Sequence, residues 1–103
     1  MASKDEVLSA LKREWNRKVD NSIQYYNTGY QGQGIRSAET TKMSELEEAK
    51  DDFSSWVLSK VGSGHGVRLA KSFSGGEHNE WSVLVEQNSP HQSIFNFHMR
   101  VSS

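Results

Sequence analysis

The spacing of apolar residues changes along this chain, and the change separates a helical part from a sheet part. Before Gly62 the apolar residues recur at three- and four-residue steps, the period of one face of an α-helix. After Gly66 they alternate with polar residues, the period of a β-strand that buries one face. A chain with both periods, each confined to its own part, is typical of an α+β domain.

Two amphipathic helices are predicted before Gly62. The first covers about residues 4–28 and begins at an S-x-x-E capping box, in which Ser3 and Glu6 each bond the other's backbone N–H. The second covers about residues 39–61. Gly62 is expected to end the second helix, because glycine readily adopts the backbone conformations found at helix ends.

Three antiparallel strands are predicted after Gly66, at about residues 67–73, 80–87 and 93–101. Turn-forming residues separate them, which favours a meander with the spatial order 1-2-3. The fold class predicted for residues 1–103 is therefore a single α+β domain. Its two N-terminal amphipathic helices pack on one face of a three-stranded antiparallel β-meander.

The register of both hairpins is predicted from the match of apolar with apolar and of acid with base. A slip of one residue would turn every side chain to the other face and destroy the match. The expected opposite pairs are Trp81 with Met99 and Glu80 with Arg100 in the second hairpin, and Leu69 with Val85 and Arg68 with Glu86 in the first.

The sheet face turned away from the helices is the first candidate binding surface. Because the two helices cover one face, the residues of the other face are expected to stay exposed. Leu84 and Ile94 are predicted to lie there among polar and charged residues, a composition found in protein interfaces. The binding residues predicted on this face are Arg68, Leu84, Ile94, His98 and Arg100.

The Gly- and Gln-rich loop of residues 29–38 is the second candidate surface. Tyr25 and Tyr30 are expected to be exposed beside it, and tyrosine is a favoured interface anchor. Arg36 precedes the second helix, whose N-terminus attracts anions. The segment from Gly29 to Arg36 is therefore predicted to bind a protein partner or, as an alternative, a nucleotide or other small anion. The other interpretation is that this segment is only a flexible connection between the two helices.

Reactive side chains form no recognisable catalytic or metal-binding pattern in the sequence. Ser82 and His98 are expected to face each other across two strands, but a flat sheet face offers neither an orienting third residue nor an oxyanion hole. The four histidines form no H-x₃-H pair, and the chain has no cysteine. We therefore expect neither enzymatic activity nor a metal or other cofactor.

Charge is balanced along the chain. Residues 1–30 include five basic and four acidic residues. Residues 31–62 include four basic and six acidic residues, and residues 63–103 include three basic and three acidic residues. Nucleic-acid binding requires a basic excess on some surface, so it is only a further alternative here.

The expected setting is the cytoplasm, away from membranes. No apolar run approaches the roughly 20 residues that span a bilayer, and the first residues lack the apolar segment of a secretory signal. The absence of cysteine also excludes disulfides.

These observations together predict a small non-catalytic protein-interaction module. An adaptor, an inhibitor or an immunity-type regulator would have these properties. Its partner would be another protein or a second copy of the same chain, giving a homo-oligomer.

Overall fold

The order of helices and strands along the chain gives an α+β fold. The computed structural model describes residues 1–17, 40–75 and 78–102. The helices are α1 (Lys4–Trp15) and α2 (Met43–Val61), and the strands are β1 (Thr40–Thr41), β2 (His65–Gly75), β3 (His78–Asn88) and β4 (His91–Ser102). The predicted α+β class and the meander of β2, β3 and β4 are confirmed.

The sheet has a fourth strand, formed by residues that were predicted to begin the second helix. The strand order is β1-β4-β3-β2, and β1 runs parallel to β4, with Thr40 opposite Arg100. Two consecutive β-branched residues favour an extended backbone. The Ala2 N–H also donates to the Thr40 carbonyl at 2.9 Å, and the Thr41 hydroxyl donates to the Ala2 carbonyl at 2.8 Å. The second helix therefore begins at Met43, four residues later than predicted.

The predicted register is correct for the second hairpin and wrong by two residues for the first. Trp81 lies opposite Met99, but Leu69 lies opposite Val83 instead of Val85. The strands of the first hairpin extend to the pair Gly75–His78, so its turn is shorter than predicted. Because side chains alternate with a period of two, a shift of two leaves the apolar residues on the predicted face.

The N-terminus of α1 and the C-terminus of α2 follow local capping rules. The Ser3 hydroxyl accepts from the Glu6 N–H at 3.3 Å, and the Glu6 carboxylate accepts from the Ser3 N–H at 3.1 Å, which confirms the capping box. Gly62 has φ 91°, and its N–H donates to the Leu58 carbonyl at 2.9 Å, so it ends α2 as predicted. The stretch 18–28 of the predicted first helix lies outside the described residues.

Three aromatic rings join both helices to β4. The ring centroids of Trp15 and Phe53 are 6.4 Å apart, and each lies 5.6 Å from the ring of Phe95. All three side chains are at most 1 % exposed. This aromatic triangle fixes α1 and α2 on the sheet face that carries Phe95. Within the described ranges, no helix is both long and apolar enough to cross a bilayer.

Candidate functional site

One face of β2, β3 and β4 is polar and carries four of the predicted binding residues, Arg68, Leu84, His98 and Arg100. Strand pairing places Arg68 opposite Leu84, and His98 opposite Ser82. Glu80 lies opposite Arg100, as predicted. The polar sheet face, as the term is used below, consists of Arg68, Glu80, Ser82, Leu84, Glu86, Asn96, His98 and Arg100.

This face is less exposed than the sequence predicts. Glu80 is 6 % exposed, Ser82 is 3 % exposed, and Leu84 is half-buried. The prediction that Ile94 is exposed here is wrong, because Ile94 is fully buried in the core. Its place in the chain explains this: the pairing shifts between Val85 and Glu86, so a β-bulge takes Ile94 out of the simple alternation.

The most exposed part of the polar sheet face is an ion-pair cluster. The Arg68 Nε donates to Glu86 Oε1 at 2.6 Å, and Nη2 donates to Oε2 at 3.3 Å. His91 Nε2 lies 3.3 Å from Glu86 Oε2. The hydrogen bond from Arg68, with the charges of Arg68 and His91, holds the pKa of Glu86 below its usual range. The charge of Arg68 is thus already matched within the chain.

Ser82 and His98 form the predicted cross-strand pair. The Ser82 Oγ lies 2.9 Å from His98 Nδ1. A catalytic serine must meet the carbonyl of its substrate. Ser82 is only 3 % exposed, so the pair holds β3 against β4 and gives a substrate no access to the hydroxyl.

Two polar atoms on this face are buried without a hydrogen-bonding partner. They are Asn96 Oδ1 and Arg100 Nε, on either side of His98 along β4. Unpaired buried groups cost stability and often mark places where a partner or water completes the bonding. Both side chains are half-buried.

An open cleft of about 460 Å³ lies between α1 and β4. Its floor is apolar and is formed by Val7 and Ala10 of α1 with Phe97 and Met99 of β4, beside Ala2. The volume falls in the range of about 300–1,000 Å³ that is usual for binding sites. The floor residues belong to the core, so the core itself supplies the base of the cleft.

The rim of the cleft is polar and follows one side of α1. It consists of Asp5, Glu6, Ser9 and Arg13, all exposed. Asp5, Ser9 and Arg13 are spaced four residues apart, so they lie above one another on the helix. We term these residues, with the floor, the α1–β4 cleft. The sequence does not predict this cleft, because polar residues spaced four apart are found on any solvent-exposed helix face.

The predicted binding residues Tyr25, Tyr30 and Arg36 lie outside the described residues, as does the segment Gly29–Arg36. Protein or anion binding by that segment stays a prediction. In the part of the chain that the structure describes, no group of three acidic or histidine side chains is placed to hold a metal ion.

No known protein family matches this chain, and neither a curated protein nor a solved structure is significantly similar to it.

Proposed function

We propose that this chain is a small, non-catalytic, cytoplasmic interaction module that binds an extended segment of a partner protein in the α1–β4 cleft. The observation that carries the proposal is the combination of an apolar floor, formed by Phe97 and Met99, with a polar, exposed rim along α1. Protein interfaces have the same arrangement, with an apolar centre and a polar border.

The polar sheet face is a less suitable contact surface. Its exposed arginine, Arg68, is engaged by Glu86, and Ser82 is engaged by His98. A partner would have to break these contacts before it could use the groups. In the α1–β4 cleft, by contrast, Asp5 and Arg13 are exposed and make no ion pair with any described residue.

The composition of the floor also favours a flexible peptide over a rigid small molecule. Met99 has an unbranched, polarisable side chain that adjusts to different apolar partners. The rim extends over about two turns of α1, so the cleft is longer than one side chain. A segment of extended chain would place several side chains along it.

A selection with random peptides on phage tests the proposal. The purified protein is the bait, and Ser9→Trp is the counter-bait, because an indole at position 9 would occupy the cleft. Ser55→Trp is the matched control, since Ser55 is exposed on α2 and does not line the cleft. We expect peptides that bind the wild type and Ser55→Trp but lose at least tenfold in affinity for Ser9→Trp.

Enriched peptides that bind all three proteins equally would contradict the proposal, and so would a selection without enrichment. Light scattering over a concentration series addresses the case in which the segment belongs to a second copy of the chain. A dimer that is lost in Ser9→Trp but kept in Ser55→Trp would place self-association in the cleft.

A further inference from the structure

We infer that the α1–β4 cleft selects an extended segment with a basic, an apolar and an acidic residue at alternate positions. The inference rests on the proposed function and specifies the chemistry of its partner. Three features of the cleft carry it: the distance between its charged ends, the lack of ion pairs from those charges to other described residues, and the apolar floor.

The distance between the charged ends matches the repeat of an extended peptide. Asp5 and Arg13 are eight residues apart on α1, which is about 12 Å along the helix axis. Residues i and i+4 of an extended chain are about 13 Å apart, and residues i, i+2 and i+4 point to the same side. A peptide lying along α1 would therefore bring three side chains to the cleft, one at each end and one in the middle.

The acidic end of the cleft makes no ion pair with a residue that the structure describes. Lys4 is the nearest basic residue in sequence. Its Nζ lies 2.8 Å from Asp52 Oδ2, and the charge of Asp5 is only a minor cause of its raised pKa. Glu6 stands beside Asp5, and the hydrogen bonds from Ser3 keep the pKa of the Glu6 carboxyl below its usual range. A basic side chain of the partner fits this end.

The basic end likewise makes no ion pair within the described ranges. Glu14 follows Arg13 directly, but its carboxylate is 4 % exposed and lies 3.4 Å from the guanidinium of Arg17. The nearest acidic neighbour of Arg13 is therefore turned inward and shared with another cation. An acidic side chain of the partner fits here, and arginine binds a carboxylate through two parallel N–H donors.

The middle of the cleft fits an apolar side chain. Phe97 and Met99, each 3 % exposed, form a small apolar floor, and Ser9, midway between Asp5 and Arg13 along α1, offers a hydroxyl to a peptide backbone. Apolar contact at the centre with ionic contacts at both ends would fix how the segment lies along α1, because reversing the segment would place like charges together.

Four short peptides test the inference with the full chain. They are acetyl-Lys-Ser-Leu-Ser-Asp-amide, its variants with lysine at both ends or aspartate at both ends, and a neutral variant with serine at both ends. Binding is followed by the amide resonances of cleft residues in nitrogen-15 NMR titrations. An exposed ion pair makes only a modest contribution to binding. We expect the Lys/Asp peptide to bind about two- to fivefold tighter than each of the others.

Arg13→Glu provides a second, independent measurement, because it makes both ends of the cleft acidic. We expect its preference to move to the peptide with lysine at both ends, while Ser55→Ala keeps the preference of the wild type. Circular dichroism of both variants verifies that they are folded. If the charge reversal weakens α1, Arg13→Gln replaces it, and we expect this variant to bind the Lys/Asp peptide and the peptide with lysine at both ends equally.

The outcomes separate the inference from the function on which it rests. If all four peptides shift the cleft resonances equally, the charge rule is wrong and the cleft still binds peptides. The charge rule is also wrong if the phage selection yields cleft-dependent peptides that lack the alternating pattern. If no peptide from either source depends on the cleft, the proposed function itself fails.

Discussion

Arg68 pairs with Glu86 diagonally across the β2–β3 ladder, since the residue directly opposite Arg68 is Leu84. The guanidinium reaches two pairs along the ladder, to the next residue of β3 on the same face, and contacts both carboxylate oxygens, at 2.6 Å and 3.3 Å. Diagonal neighbours in a sheet are within reach of such long side chains. The Glu86 side chain is 12 % exposed and that of Arg68 is 54 % exposed, so the carboxylate is largely shielded from solvent and the guanidinium is not.

This pair should make stability depend on pH in the acid range. The pKa of Glu86 is lower in the folded chain, chiefly through the Arg68 hydrogen bond, so its contribution is present above the unfolded pKa of about 4.3. That contribution is lost as pH falls through the folded pKa. We expect Glu86→Gln to be less stable than the wild type at neutral pH, with the difference closing below about pH 4.3.

Urea unfolding at a series of pH values would measure that difference. Glu47→Gln is the control, because Glu47 is exposed on α2. The same comparison in a His91→Ala background removes the imidazole that contacts Glu86 and isolates the effect of Arg68. A difference between wild type and Glu86→Gln that is constant from neutral to strongly acid pH would contradict the prediction.

The hydroxyl of Thr41 in β1 should be necessary for the stability of the fold. Thr41 is fully buried, and its Oγ1 donates to the Ala2 carbonyl at 2.8 Å. Thr41→Val keeps the shape but removes the donor, which leaves a carbonyl without that partner. We expect a loss of about 1–3 kcal/mol in the free energy of unfolding.

Thr40→Val is the matched comparison for Thr41→Val, and chemical denaturation is the measurement. Thr40 takes part in the described contacts through its backbone carbonyl, which accepts from the Ala2 N–H at 2.9 Å. This backbone hydrogen bond is kept in the variant, so Thr40→Val should lower the free energy of unfolding clearly less than Thr41→Val. Equal losses in the two variants would mean that the Thr41 hydroxyl has no special part.

The sequence predicts the meander well, because two-residue alternation leaves few choices for which residues are buried. The pairs of the second hairpin, such as Trp81 with Met99, follow directly from it. The first hairpin shows what two-residue alternation does not determine. Registers that differ by two residues bury the same face, and the shorter turn decides between them.

The parts that the sequence could not predict depend on contacts between distant segments. The strand Thr40–Thr41 forms only because Ala2 and β4 lie beside it. Ile94 is buried because a bulge interrupts β4, and no turn or charge in the sequence marks that position. The α1–β4 cleft likewise arises where α1 crosses Phe97 and Met99, a packing arrangement that periodicity does not give.

Glu14 is a buried carboxylate with one oxygen that lacks a hydrogen-bonding partner. The residue is 4 % exposed, and its Oε1 is buried without a hydrogen-bonding partner, while Oε2 contacts Arg17 at 3.4 Å. Replacing a poorly paired buried charge with an apolar group of similar length is often stabilising. We expect Glu14→Met to raise the free energy of unfolding by about 1–3 kcal/mol, measured by urea denaturation.

Glu47→Met is the control for this gain, because the same substitution at an exposed site of α2 should change stability by less than about 0.5 kcal/mol. Lower stability in Glu14→Met than in the wild type would show that the carboxylate is satisfied in solution. The exposed Arg17 loses its contact in the variant, but an arginine at 61 % side-chain exposure remains hydrated.

The aromatic triangle should dominate the stability of the whole domain, since it is the point where α1, α2 and β4 meet. Phe53 is fully buried, and its ring contacts both Trp15 and Phe95. Phe53→Ala would leave a cavity between two helices and the sheet, so we expect a loss of about 3–5 kcal/mol. A loss of this size approaches the total stability of many small domains, and unfolding is best followed by near-ultraviolet circular dichroism of the tryptophans.

The neighbouring ring of Trp56 provides the contrast. It stacks on Phe53 at 5.9 Å and is half-buried, with Lys12 Nζ 5.4 Å from its centroid. Lys12→Gln removes one cation from this ring and should cost at most about 1 kcal/mol. If Phe53→Ala were no more damaging than Lys12→Gln, the two helices would have to be held on the sheet by other contacts, and the triangle would not be the centre of the core.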